Sequence, residues 1–92
     1  MNPVLLYEQE MKSPGGLATK QNALYVCQAE NGLAIFDLKN PKRPAMIKEL
    51  KDEAYYDVIP YGNLLIAYIK DGISFFDVTD PLKPVLLSQM KG

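Results

Sequence analysis

The stretch "NGLAIFDLKNPKRP" runs from Asn31 to Pro44, and "DGISFFDVTDPLKP" runs from Asp71 to Pro84. Gly32 and Gly72, Phe36 and Phe76, Asp37 and Asp77, Pro41 and Pro81, and Pro44 and Pro84 all recur at a step of forty. Identities at glycine and proline carry extra weight, because these residues fix backbone geometry. A fixed period near forty is the mark of a repeat architecture.

Working outward, the same step pairs Leu24 with Leu64 and Lys51 with Lys91. It keeps chemical type at Val26 and Ile66, Cys27 and Ala67, Leu33 and Ile73, and Leu38 and Val78. Each period holds four short apolar runs. In the second copy these are "YDVIP" (56–60), "LLIAYI" (64–69), "ISFFDV" (73–78) and "PVLLSQ" (84–89). Gly62-Asn63 separates the first two runs and Asp71-Gly72 the next two. Asn31-Gly32 and Asp71-Gly72 are favoured two-residue hairpin turns, since such turns need positive φ. The proline pairs then enforce an extended connection. The pattern predicts a four-stranded antiparallel meander per period.

The second run of each copy, "LYVCQA" and "LLIAYI", is apolar on nearly every residue, which predicts burial on both faces. Pro60 is compatible only with an edge strand. Four-stranded sheets stacked around an axis are propeller blades. The expected fold is therefore all-β: a β-propeller fragment of two four-stranded antiparallel blades plus one extra N-terminal strand. Residues 1–9 form the extra outer-type strand, 10–50 the first blade and 51–92 the second. The rival is a helical array, because Met46, Ile47, Leu50 and Ala54 fall at helical spacing. An Asx-Gly turn and a proline pair in each period leave no room for two helices.

The segment "DVIPYGNLLIAYIKDGISFFDVTDPLKPVLL" (57–87) resembles the LVIVD repeat, a propeller-type repeat. That pattern runs from an Asp-Val start through a Gly-Asn turn to Gly-Leu-Val-Ile-Val-Asp, then Ser/Thr-Asp-Pro and a second proline. Tyr25 to Pro44 matches less fully: Leu17 stands where the second copy has Asp57, and Lys39-Asn40 replaces Thr79-Asp80. The resemblance implies a surface-associated or lipoprotein-like protein, often bacterial and exported, with no common catalytic activity. This chain itself shows no basic, apolar leader, and its compartment stays open.

Composition narrows the functions. Ninety-two residues make one small domain at most, and a net charge of −1 supplies no field for nucleic acid or an anionic membrane. No apolar run approaches the ~18 residues of a membrane span. The single cysteine, Cys27, permits no intrachain disulfide, and its apolar setting predicts a buried, inert thiol. The absence of histidine removes Ser-His-Asp and Cys-His catalysis and His-containing metal sites. No phosphate loop is present: "SPGG" (13–16) precedes a strand. No catalytic residue, cofactor or metal ligand is expected.

Among individual residues, Asp37 and Asp77 suit Asx-type corners after the third strand. Calcium there would need further converging oxygens, with Asp80 the nearest. Asp57 opens the innermost run and points toward an axial channel; with Tyr55 and Tyr61 near the strand ends it forms the candidate ligand-binding set. Tyr68 is expected in the core.

Two blades cannot close a ring, and a free pair leaves apolar faces uncovered. The expected partners are further blades, from a longer chain or by self-association. The expected function is a non-catalytic propeller repeat module acting as a protein-interaction scaffold. Two alternatives stand beside it: a glycan or small-ligand module at the channel mouth, and part of a propeller enzyme whose catalytic groups lie elsewhere.

Overall fold

The computed structural model describes residues 16–40 and 42–92. The strand expected within residues 1–9 lies outside them. Eight strands follow in order: β1 (Leu17–Lys20), β2 (Ala23–Cys27), β3 (Leu33–Asp37), β4 (Ala45–Leu50), β5 (Tyr55–Tyr61), β6 (Leu64–Ile69), β7 (Gly72–Asp77) and β8 (Val85–Lys91). They form two antiparallel sheets, β1-β2-β3-β4 and β5-β6-β7-β8, each a simple meander. The described residues contain no helix. Of the residues at helical spacing, Met46, Ile47 and Leu50 lie on strand β4 and Ala54 on the connection that follows, and Pro60 lies on β5, an edge strand as required.

The register corrects the forty-residue step. Leu24 pairs with Phe36 in the first sheet, whereas Leu65, not Leu64, pairs with Phe76 in the second. Leu17 pairs with Val26, and Val58 with Ala67. Strands β1 and β2 therefore correspond to β5 and β6 at a step of 41, while β3 and β4 correspond to β7 and β8 at forty. Asn22 and Asn63 mark the longer step: their carbonyls accept from Leu38 N–H at 2.7 Å and Val78 N–H at 2.8 Å.

The extra residue is taken up in the β2–β3 hairpin. Cys27 pairs with Leu33, and Gln28 N–H donates to Gly32 O at 2.8 Å, so Ala29, Glu30 and Asn31 turn the chain. In the second sheet Ile69 pairs with Gly72, leaving only Lys70 and Asp71. The expected turns at Asn31-Gly32 and Asp71-Gly72 are thus each displaced toward the N-terminus. Ala29 (φ 52) and Gly32 (φ 96) in the first hairpin and Asp71 (φ 66) in the second supply the left-handed conformation. The recurring glycines have another reason: a Cβ on Gly32 would overlap the Leu50 carbonyl, and one on Gly72 the Met90 carbonyl. Each glycine lets the last strand of its sheet close over it.

The register decides which faces meet. Ala23, Tyr25, Cys27, Leu33 and Ile35 of the first sheet share one core with Val58, Leu65, Ala67, Phe76 and Val78 of the second. The other face of the first sheet carries Leu24, Val26, Ala34 and Phe36, all buried, with Leu17 and Leu38 against them. Shifted by 41 or 40, these six become Val58, Leu65, Ala67, Ser74, Phe76 and Val78, the face that the second sheet turns toward the first. The sheets therefore stack head to tail, with equivalent faces pointing the same way.

This arrangement corrects the expected double burial of the second run. Strand β2 is buried on both faces, but β6 is buried only at Leu65, Ala67 and Ile69. Tyr68, expected in the core, is 41% exposed on the other side.

The corners after β3 and β7 form as expected. The Asp37 carboxylate accepts from Lys39 N–H, and that of Asp77 from Thr79 N–H, each at 2.8 Å. Both outermost strands carry a bulge at the same place, leaving Ile47 and Leu87 without register partners. Bulges at free edges hinder further strand pairing.

Candidate functional site

Strand β5 carries all three residues of the candidate set, and a bulge at Tyr56 determines where they point. Tyr55 pairs with Ile69 and Asp57 with Tyr68, so Tyr56 is the extra residue. An unbroken strand would place Tyr55 and Asp57 on one face. With the bulge, Tyr55 and Val58 turn inward while Asp57 turns outward.

Tyr55 is completely buried, on the face opposite Asp57. Its N–H and C=O exchange bonds with Ala29 at 3.0 and 2.9 Å, and its hydroxyl donates to Asp52 Oδ1 at 3.0 Å. Its ring lies 6.3 Å from that of Phe76 at a tilt of 44°. Burial, with the bond to and charge of Asp52, pushes its hydroxyl pKa upward. Tyr55 is thus a core anchor that joins the β2–β3 hairpin of one sheet to the first strand of the other.

Asp57 is exposed, and its Oδ1 accepts from Val58 N–H at 2.9 Å. Its register counterpart is Gly16 rather than Leu17. A Cβ on Gly16 would overlap the Asp57 carboxylate, so the glycine makes room for it. Gly16 N–H donates to Tyr56 O and Gly16 O accepts from Cys27 N–H, both at 2.9 Å. Burial first, and the Asp57 charge second, push the Cys27 thiol up to about 12. It is a buried, protonated thiol at neutral pH, as expected.

Tyr61 ends the strand and is 74% exposed, beside a turn whose Gly62 carbonyl accepts from Lys20 Nζ at 2.6 Å. It shares the outward face with Asp57 but lies four residues away, roughly 13 Å along the strand. The structure does not bring Tyr55, Asp57 and Tyr61 together. Among the described residues no three His, Cys, Asp or Glu side chains are grouped to hold a metal ion.

The outward face of the second sheet is an uncommitted apolar feature. Rows across it read Tyr61, Leu64, Asp77, Val85; Ile59, Ile66, Phe75, Ser88; and Asp57, Tyr68, Ile73, Met90. Ile59 is 43% exposed and Met90 58%, while Leu64, Ile66, Ile73 and Phe75 are half-buried. Water meets a contiguous apolar sheet bordered by Asp57 and Asp77. The forty-residue step hid this face, because it paired β6 with β2 out of phase. The Asn22–Asn63 match at 41 was the signal that locates it.

A second concavity, a groove of about 520 Å³, lies between β4 and the β7–β8 corner. Ile47, Lys48, Leu82, Lys83, Pro84 and Val85 line it, and no acid or nucleophile joins the two lysines.

The two sheets are clamped at that corner. The Tyr25 hydroxyl donates to the Pro81 carbonyl at 2.6 Å, and burial, then the Asp80 charge, pushes its pKa up to about 12. No helix among the described residues is long and apolar enough to cross a membrane. Compared with protein-family models, curated proteins and solved structures, the chain matches none.

Proposed function

We propose that the chain is a non-catalytic interaction module built from two propeller-type blades, and that it acts by docking a further β-sheet on the open face of its second sheet. One observation carries this reading. The open face consists of Ile59, Leu64, Ile66, Tyr68, Ile73, Phe75 and Met90, the register counterparts of Ala18, Ala23, Tyr25, Cys27, Leu33, Ile35 and Leu50. In the first sheet those positions are packed against a neighbouring sheet. In the second they face water. An apolar sheet face of this extent is a docking surface or an aggregation hazard.

The LVIVD-like residues 57–87 support the blade reading, and the expected surface or exported location rests on that resemblance alone. A ligand site at a channel mouth would need Asp57 and both tyrosines to converge, and Tyr55 is on the opposite face. The further sheet comes from a longer chain or from association.

The test is cross-linking and mass measurement of the protein with its partners in the source cell extract, repeated with Ile66→Lys. Loss of a partner with Ile66→Lys, but not with the exposed groove variant Lys83→Glu, supports the reading. A partner retained by Ile66→Lys contradicts it.

A further inference from the structure

The two equivalent faces differ in bulk, and the difference specifies the partner. From the first sheet to the second, Ala18 becomes Ile59, Ala23 becomes Leu64, Cys27 becomes Tyr68 and Ile35 becomes Phe75. Only Tyr25 to Ile66 runs the other way, and Leu33 to Ile73 conserves size. Stacked sheets keep a spacing of roughly 10 Å and fill it at near-crystalline density. Bulk added to one face must then be removed from the other. The face that fits sheet one, with Val58, Leu65, Ala67, Ser74, Phe76 and Val78, overfills the same space against sheet two.

Polar chemistry changes as well. The first sheet offers the Tyr25 hydroxyl, which the Pro81 carbonyl accepts. In the second sheet Ile66 stands in that place, and the hydroxyl has moved to Tyr68, on the Cys27 position near the first strand of the neighbour. A buried tyrosine hydroxyl requires a hydrogen-bond partner.

We infer that the open face of the second sheet takes a non-identical β-sheet whose apposed face is built from smaller side chains, such as Ala, Ser and Val, and which offers a carbonyl or carboxylate to Tyr68. This rests on the head-to-tail docking reading and names the partner for it. A verbatim copy of this chain's second sheet is excluded by size.

The experiment extends the full chain after Gly92 with a copy of residues 53–92. Two versions of the host are compared. One has its natural open face. The other carries Ile59→Ala, Leu64→Ala, Ile66→Tyr, Tyr68→Cys, Ile73→Leu, Phe75→Ile and Met90→Leu, which recreate the face of the first sheet. Docking is read from the denaturant m-value and from amide exchange of host residues 59–75. The expected result is docking on the re-faced host only, with an m-value about 1.5 times that of the 92-residue chain, since exposed surface sets m. Ten-fold or greater slowing of exchange should accompany it.

Equal docking on the natural face overturns the size inference and leaves head-to-tail docking standing. Failure on both hosts overturns both. A dimer of the natural 92-residue chain that Ile66→Lys dissociates also overturns the inference, because the occupant would then be a second copy.

Discussion

Tyr25 of the first sheet donates its hydroxyl to the Pro81 carbonyl of the second at 2.6 Å, and both residues are buried. The bond ties a central strand to the neighbouring sheet's proline corner, 56 positions away in sequence. Tyr25→Phe keeps the ring and strands the carbonyl. Leaving a buried acceptor unmet costs about 1–3 kcal/mol. Chemical denaturation should show that loss with an unchanged m-value.

The glycines separate close approach from turn conformation. Gly62→Ala places a methyl in open space at φ 60, so only the left-handed conformation is penalised, by about 1–2 kcal/mol. Gly72→Ala drives a methyl into the Met90 carbonyl and must displace β8. Its cost should exceed that of Gly62→Ala, at about 2 kcal/mol or more. Gly32→Ala combines overlap with Leu50 and a φ of 96, and should be the most damaging of the three. Thermal melts of the three variants check the order.

The Asp77 corner should give an acid-side pH dependence. The Thr79 hydroxyl, at 2.7 Å, and Thr79 N–H hold the Asp77 carboxyl below its ordinary pKa of 3.8. A depressed folded pKa means stability that is present above the unfolded value and lost as pH falls through the folded one. Thr79→Ala removes the hydroxyl donor and should flatten that part of the profile below pH 4. Denaturation midpoints at several acidic pH values measure it.

Alkali should act in the opposite sense. Cys27 is raised from 9.0 to about 12 and Tyr25 from 10.0 to about 12. The unfolded chain loses these protons first, so stability is intact below about pH 9 and declines toward pH 12. At pH 8 a thiol reagent should modify Cys27 only after denaturation, and Cys27→Ala should remove part of the alkaline decline.

Most of the fold was legible from punctuation. Asx-Gly pairs, paired prolines and apolar runs placed strands β5 to β8, and β2 of the first sheet, to within about two residues. The corner aspartates, the burial of Cys27 and the edge position of Pro60 followed from local chemistry. The facing of β6 was not legible from the forty-residue step. One extra residue in the β2–β3 hairpin moves every β6 side chain to the opposite face relative to that step, and the third-strand identities masked it. The Tyr56 bulge did the same to β5, burying Tyr55 and exposing Asp57. The side-chain facings that the repeat step does not show lie at these two places, the β2–β3 hairpin and the Tyr56 bulge.

Head-to-tail stacking predicts which side of β6 meets water, and single-cysteine labelling measures it most directly. In a Cys27→Ala background, Ile66→Cys and Tyr68→Cys should react quickly with a thiol reagent under native conditions. Leu65→Cys and Ala67→Cys should react only on unfolding, with Ile59→Cys fast and Val58→Cys slow on the neighbouring strand. The reverse pattern, with positions 65 and 67 labelled and 66 and 68 protected, would restore the uniform forty-residue step and contradict the stacking on which the proposed docking face depends.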